Sequence, residues 1–96
     1  MVTIGMNYFV RENKEAVFEG ACAKVIDLMK GIDGHDESHI YRRVDDGAPV
    51  YLIVSRWESQ DAFGGFVRSD AFKKVTDWGK LNILNGPPKH TTYQES

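Results

Sequence analysis

The chain has 96 residues, of which 42% are hydrophobic and 27% are charged, and its formal net charge is −2. This length predicts a single domain over residues 1–96, and the composition excludes wholesale disorder and collagen-like structure. The near balance of acidic and basic residues indicates neither nucleic acid nor an anionic membrane surface as a partner.

The compartment is predicted from the cysteine content and from the start of the chain. Cys22 is the only cysteine, so the chain forms no disulfide within itself. Residues 1–7 lack the charged-then-apolar plan of a signal peptide, and no run approaches the ~20 apolar residues that a membrane span needs. We therefore expect a cytoplasmic protein.

Hydrophobic periodicity predicts a strand and then a helix in the first third of the chain. Residues 2–10 alternate between two faces, as a strand does. Asn13 is the expected N-cap of the helix that follows, and this helix is expected to end near Gly31. Gly20, which disfavours a helix interior, is interpreted as a point of close backbone approach.

Two strands and two short helices are predicted in the middle of the chain. The strands cover roughly residues 37–45 and 49–58. The sequence Asp45–Pro49 is a turn signal, so the two strands are expected to form a hairpin. Ser59 and Ser69 are each expected to cap one of the helices that follow.

The last part of the chain completes the predicted topology. The second helical region should stop before Asn85–Pro88, because proline cannot continue a helix, and residues 89–93 are predicted as a final strand. The order β-α-β-β-α-β predicts an α+β, ferredoxin-like fold with an antiparallel sheet and helices on one face.

The hydrophobic pattern of the third strand predicts that two copies of the chain form a dimer. Its run from Val50 to Val54 is apolar on both faces, whereas helices cover only one face of such a sheet. Packing of two sheets face to face in a two-fold homodimer would bury the other face. Coverage of that face by a loop or a tail is the alternative.

Aromatic residues suggest a ligand pocket between the sheet and the helices. The residues predicted to bind a substrate there are Phe9, Trp57, Phe63, Phe66 and Trp78, with Phe72 facing the same space. Asn7 could orient a phenol or quinone oxygen, because an amide both donates and accepts hydrogen bonds, and Arg43 could reach an anionic group in a cleft. The alternative interpretation is that these aromatic side chains are core.

No metal site is predicted. His35 and His39, with Asp36 and Glu37 between them, include metal-ligating residue types. A polar loop that enters an exposed strand is the favoured interpretation of this segment. Cys22 lies in the middle of a predicted helix and is interpreted as a structural thiol rather than a nucleophile.

One stretch of the chain carries a family resemblance. The sequence YLIVSRWES at 51–59 leads into QDAF at 60–63 and, after three residues, into VRSDAF at 67–72. This stretch resembles the antibiotic biosynthesis monooxygenase (ABM) superfamily. The resemblance implies a dimeric α/β barrel, in which the sheets of two ferredoxin-like subunits pack together.

Two activities follow from the resemblance. Some members of the superfamily oxidise aromatic polyketides or quinols with O2 and without a cofactor, and others bind haem and break it down. The first-strand Asn of the haem-degrading members matches Asn7, whereas their Trp and their axial His fall at Phe66 and Thr76. Threonine cannot replace imidazole as an iron ligand, so haem would need another ligand, such as His35 or His39.

These observations lead to one functional hypothesis and its rivals. We expect a cofactor-independent monooxygenase or binding protein that acts on a small aromatic compound, with Asn7, Phe66 and Trp78 lining its pocket. The resemblance implies that a substrate anion forms, and Asn7 and Arg43 are the predicted catalytic residues that would stabilise it. A non-catalytic ligand-binding or stress-response module on the same fold is one alternative, and a haem-binding protein is the other.

Overall fold

The computed structural model describes residues 1–45 and 47–95. Its elements, in chain order, are β1 (Val2–Phe9), α1 (Glu15–Lys30), β2 (His35–Arg42), β3 (Val50–Trp57), α2 (Gln60–Val67), α3 (Asp70–Asn82) and β4 (Lys89–Gln94). The strands form one antiparallel sheet in the order β2-β3-β1-β4. The predicted α+β, ferredoxin-like order, with its split second helical region, is confirmed.

The sheet has one face covered by helices and one face without them. Alternation along the strands points Ile4, Ile53 and Trp57 at the helices, where each is at most 1% exposed. The opposite face, called here the helix-free face, includes five large apolar or aromatic side chains: Phe9, Tyr41, Leu52, Val54 and Tyr93. Tyr93 and Leu52 both approach the position of Gly5, which has no side chain to separate them.

The predicted boundaries differ from the observed ones at two places. The Asn13 cap is wrong: α1 begins at Glu15 after Lys14, which makes no side-chain capping bond, and Asn13 has φ 67°. Asparagine tolerates this left-handed conformation better than most residues, so it serves the turn before the helix instead. β2 lies at His35–Arg42 rather than at 37–45, and the predicted turn includes Asp46, which is outside the described residues.

The two serine caps are confirmed. The Ser59 hydroxyl accepts a hydrogen bond from the backbone N–H of Ala62, and the Ser69 hydroxyl accepts one from Phe72, each at 3.2 Å. Both serines have extended backbone angles, as N-cap residues do. These caps separate α2 from α3 and fix where each helix begins.

The end of α3 is fastened to the end of β1. Val10 forms an isolated antiparallel bridge with Leu84, and the backbone N–H of Arg11 donates to the Ile83 carbonyl at 2.9 Å. The Arg11 guanidinium donates to the carbonyls of Leu84 at 3.0 Å, Leu81 at 3.4 Å and Lys80 at 3.5 Å. A cation at the carboxyl end of a helix also meets the negative end of its dipole. These bonds hold the C-terminal end of α3 above the sheet.

Among the residues that the structure describes, no helix has the length and apolar character needed to cross a membrane.

Two glycines are expected to respond oppositely to alanine. Gly34 has φ +92°, and a Cβ there would lie 2.6 Å from the Ala62 Cβ, so Gly34→Ala should lower the free energy of unfolding by about 3 kcal/mol. Gly20 has open space around its missing Cβ, so its interpretation as a close approach is wrong. Gly20→Ala should raise the free energy of unfolding by about 1 kcal/mol. Urea denaturation checks both, and similar values for the two variants would contradict this account.

Candidate functional site

A cleft lies between the sheet and the helices α1 and α3, and it is called here the α1–α3 cleft. It is lined by Tyr8, Phe18, Ala21, Cys22, Val25, Ile53, Phe72, Val75, Thr76, Trp78, Gly79, Ile83 and Leu84. Its free volume, measured as the space open to the centre of a water-sized sphere, is about 40 Å³, which is room for a few water molecules. A compound larger than this therefore needs α1 and α3 to move apart.

The sequence of the two helices explains why a gap remains between them. In α1, Phe18, Cys22 and Val25 recur at helical spacing and face the sheet. Two small residues line the cleft, Ala21 on α1 and Gly79 on α3, and a Cβ added at Gly79 would lie in ordinary contact with Leu84, at 3.6 Å. Close packing is the rule in protein interiors, so a gap lined by small residues points to a ligand or a mobile helix.

Two acids in the cleft lining, the buried Cys22 and the partly buried Tyr8, are held neutral. Burial raises the pKa of the Cys22 thiol to about 12, and the charge of Glu19 contributes in the same direction. Burial, with a smaller contribution from Cys22, also raises the pKa of the Tyr8 phenol. Among the described residues, the one acceptor of the Tyr8 hydroxyl is the Met6 sulfur at 3.6 Å, which is a weak acceptor. At neutral pH the phenol therefore keeps its proton for a stronger acceptor.

A second polar contact lies beside the cleft, between α1 and β3. The Tyr51 hydroxyl donates a hydrogen bond to the Glu19 carboxylate at 2.6 Å. Burial and this bond raise the pKa of Tyr51 to about 12. The Tyr51 ring packs on Phe18 at 4.7 Å, and Phe18 packs on Tyr8 at 5.3 Å. Tyr8 and Phe18 line the cleft, and Tyr51 packs against Phe18 outside the lining.

Most of the predicted aromatic set forms solid core rather than a pocket wall. Trp57 lies 5.7 Å from both Phe63 and Phe66, and Phe66 lies 5.0 Å from Phe72, as measured between ring centroids. Trp57 is fully buried, and its indole N–H donates to the Ser55 hydroxyl at 3.1 Å. Of the five residues predicted to bind a substrate, only Trp78 lines the cleft.

Three predicted site residues lie on the other side of the sheet. Asn7 and Phe9 alternate with Met6 and Tyr8 along β1, so they belong to the helix-free face. The prediction that Asn7, Phe66 and Trp78 line one pocket is therefore wrong. Arg43 follows β2 on the helix-free side, and its guanidinium contacts the Ala48 carbonyl at 3.0 Å and Asp45 at 3.4 Å.

The histidines lie away from the cleft. His35 packs on Trp57 at 5.0 Å and contacts the Ser38 hydroxyl at 2.7 Å, and burial lowers its pKa. His39 contacts the Glu37 carboxylate at 3.4 Å on the surface, and His90 packs on Phe63. Within residues 1–45 and 47–95, no group of three or more His, Cys, Asp or Glu side chains could hold a metal ion.

Sequence reasoning missed most of the residues that line the cleft. Tyr8 and Cys22 were visible as members of the apolar face of β1 and of α1. Their role depends on the distance between α1 and α3, which periodicity does not give. The one available signal was the small residues, since Ala21 and Gly79 occupy inward positions where larger apolar side chains are usual.

The family of the chain follows from a comparison with family profiles. The profile described as "Antibiotic biosynthesis monooxygenase" matches residues 1–78. The chain belongs to this family. The family resemblance noted in residues 51–72 is therefore confirmed, and the match extends it over β1, α1 and most of α3.

Solved structures of this family and of related proteins share the fold. SnoaB, a cofactor-independent oxygenase from Streptomyces nogalater, superposes with a TM-score of 0.83 at 18% identity and covers 99% of this chain and 92% of its own. A conserved protein from Methanosarcina mazei superposes with a TM-score of 0.87 at 16% identity, over 99% of this chain and 92% of that protein. At these identities the likeness concerns the fold alone.

Curated relatives carry a different functional label. A protein of Haloarcula marismortui, provisionally named as heme-binding, is 35% identical over 88 residues, which are 92% of this chain and 13% of that protein. A similarly named protein of Halobacterium salinarum is 31% identical over 92% of this chain and 18% of its own length. The chain thus spans less than a fifth of the length of these relatives.

The lining of the cleft does not fit haem. Thr76 lies in the lining, at the position where the resemblance placed an axial histidine, and none of the three histidines lines the cleft. The Cys22 thiol and the Tyr8 phenol are the groups there that ligate haem iron in some proteins, and burial keeps both protonated.

Buried acids predict that stability falls at high pH. The folded chain keeps the protons of Cys22 and Tyr51 up to a pKa of about 12, whereas the unfolded chain loses them from pH ~8.5 for a thiol and ~10 for a phenol. The folded state then holds more protons, so the free energy of unfolding should fall as pH rises above about 8.5. In Cys22→Ala the thiol no longer contributes to this decrease. The slope of the free energy of unfolding against pH should then be less steep by about 1.4 kcal/mol per pH unit between pH ~9.5 and ~11.5.

Urea denaturation of both proteins at intervals from pH 7 to 11 measures the two slopes. The alanine variant also loses side-chain volume, but this adds an offset that is independent of pH. Parallel curves for the two proteins would contradict a protonated, buried Cys22.

Proposed function

We propose that the protein binds a small aromatic compound in the α1–α3 cleft. The observation that carries this proposal is an apolar gap between the sheet and two helices, with the Tyr8 phenol inside it and Trp78, 43% exposed, at its mouth. Ligand sites of this kind combine apolar walls with a few polar groups that orient the ligand. Family membership adds support, because the family is described by oxygenation in antibiotic biosynthesis.

The lining suits a planar ring that bears a hydroxyl or a carbonyl. Phe18, Phe72 and Trp78 offer ring faces and edges for stacking. The Tyr8 hydroxyl, bonded only to a sulfur, is free to donate to a ligand oxygen, and the Thr76 hydroxyl is the other polar group. A hydrogen bond from Tyr8 would fix the orientation of the ring and would stabilise a phenolate oxygen.

Oxygenation of the bound compound is the second candidate function. It is favoured by the neutral Tyr8 phenol, which would stabilise an electron-rich substrate anion in an apolar site. In this proposal Tyr8 takes the role that sequence analysis gave to Asn7 and Arg43, since those two residues lie outside the cleft. Oxygen uptake with a naphthohydroquinone distinguishes the two functions: Tyr8→Phe should lower a protein-dependent rate, and Asn7→Ala should leave it unchanged.

Filling the cleft should weaken binding. Ala21→Leu places an isobutyl group in the lining, so its affinity for 2-naphthol should fall by a factor of ten or more, about 1.4 kcal/mol. Ala23→Leu makes the same change on α1 outside the cleft lining and should bind as the unmodified protein does. Isothermal titration calorimetry measures the three dissociation constants, and circular dichroism confirms that each variant is folded.

Two outcomes of this titration would contradict the proposal. One is that the unmodified protein does not bind 2-naphthol or a related naphthalene at millimolar concentration. The other is that Ala21→Leu binds as tightly as Ala23→Leu does.

Haem binding is the rival function that the names of the relatives suggest. The residues of the cleft do not fit haem, so we expect no shift of the Soret band when haemin is added at equal concentration. A shifted band that is lost in His35→Ala or His39→Ala would support haem binding at a surface site instead.

We also propose that a second copy of the chain covers the helix-free face. Phe9, Tyr41 and Tyr93 on this face are 37%, 55% and 58% exposed, and Leu52 and Val54 lie between them. An apolar sheet face of this extent is rarely left to solvent, and two such faces can pack against each other. Arg56 is held at the edge of the same face by Glu37 at 3.2 Å and Asp36 at 3.6 Å, which gives the face a polar rim.

A charge on the helix-free face should break this dimer. Leu52→Glu would place a carboxylate in the middle of the face, so we expect a dimer for the unmodified protein and a monomer for this variant. Leu81→Glu, at a 77% exposed position on α3, should remain a dimer. Light scattering at micromolar concentration measures the masses, and a monomeric unmodified protein would contradict the proposal.

A further inference from the structure

A groove on the outer surface runs between α1 and α3, and it is called here the outer groove. Its lining comprises Ala16, Val17, Gly20, Ala21, Lys24, Lys74, Val75 and Trp78. Ala16 and Gly20 are small, and open space surrounds the missing Cβ of Gly20. The groove therefore has an apolar floor along α1 that is deep enough to receive a flat group.

The outer groove adjoins the α1–α3 cleft. Ala21, Val75 and Trp78 line both spaces and form the partition between them. The Trp78 side chain is the largest part of this partition, and it is 43% exposed. Rotation of one exposed side chain is fast and costs little, so Trp78 is suited to open the route from the groove to the cleft.

The polar groups of the outer groove all carry positive charge. Lys24 stands on the α1 wall and Lys74 on the α3 wall, and no acidic residue lines the groove. Within the described part of the chain neither lysine forms a salt bridge, whereas Lys30 at the end of α1 pairs with Asp27. The two carboxylates nearest to Lys24 along α1 have other partners, since Asp27 pairs with Lys30 and Glu19 accepts a hydrogen bond from Tyr51, and neither lines the groove.

From this arrangement we infer that the aromatic ligand carries an anionic group, such as a carboxylate, which Lys24 and Lys74 bind at the mouth of the cleft. The inference rests on the proposed function, since the ring of the same compound occupies the α1–α3 cleft. The cleft lining offers hydroxyl and thiol groups but no cation to pair with a carboxylate, whereas Lys24 and Lys74 supply two cations at its mouth. The charged end therefore stays at the lysines while the ring passes Trp78.

The expected preference is moderate and depends on salt. Exposed ion pairs contribute a few tenths of a kcal/mol to 1 kcal/mol each, so two lysines should favour an anion over its neutral analogue about fivefold. Salt screens exposed charges, and the preference should shrink towards unity at about 1 M ionic strength.

The test compares 2-naphthoate with 2-naphthol, two ligands of the same ring system that differ in charge at pH 7. Isothermal titration calorimetry should show that the unmodified protein binds the naphthoate about fivefold more tightly. The double variant Lys24→Gln/Lys74→Gln should bind both ligands equally, with an unchanged affinity for 2-naphthol. The matched control, Lys30→Gln/Lys73→Gln, removes the same charges from the same two helices outside the groove and should keep the preference.

Each result bears on the inference. A naphthoate that binds no more tightly than 2-naphthol, or a preference that survives in Lys24→Gln/Lys74→Gln, overturns the inference and leaves the proposed function standing. Binding of neither ligand to the unmodified protein overturns both. A preference that disappears in the control double variant as well shows that net charge, and not the groove, is responsible, and this also overturns the inference.

Discussion

The attachment of α3 at its two ends is the constraint on which the rest of the structure depends. At the C-terminal end, Arg11 binds three carbonyls and Val10 pairs with Leu84, while at the N-terminal end Phe72 packs on Phe66. Between these two points the helix crosses the sheet without filling the space beneath it. The α1–α3 cleft exists because the ends of α3 are fixed by specific bonds while its middle is not.

The two faces of the sheet have different surroundings. The helix side contains the aromatic core around Trp57 and, beside it, a cleft whose acids, Tyr8 and Cys22, are kept neutral by burial. The helix-free face exposes Tyr41 and Tyr93, and it is the surface on which a second copy would pack. In our proposal, assembly buries the apolar surface that one small chain leaves exposed, and the helix side stays available for the ligand.

Sequence patterns predicted the fold well because they report local physics. Period-2 and period-3.6 hydrophobicity gave the order of elements, and the caps at Ser59 and Ser69 were correct. The site was predicted poorly, because pooling the aromatic residues ignored the alternation that puts Phe9 and Asn7 opposite Tyr8. Core residues and the residues of a pocket wall also have the same sequence pattern. Only the spacing of α1 and α3 in the structure shows that Trp57 is core and that Trp78 lines the cleft.

Nuclear magnetic resonance offers the most direct test of the central claim, that the α1–α3 cleft is the ligand site. The indole N–H signal of Trp78, which lines the cleft, is the probe. The indole N–H signal of Trp57, which is buried and donates to Ser55, is the internal control. On addition of 2-naphthol the account predicts shifts at the Trp78 indole and at the amides of Tyr8 and Cys22, with the Trp57 indole unchanged. Shifts confined to Tyr41, Val54 and Tyr93 would place the ligand on the helix-free face and would contradict the account.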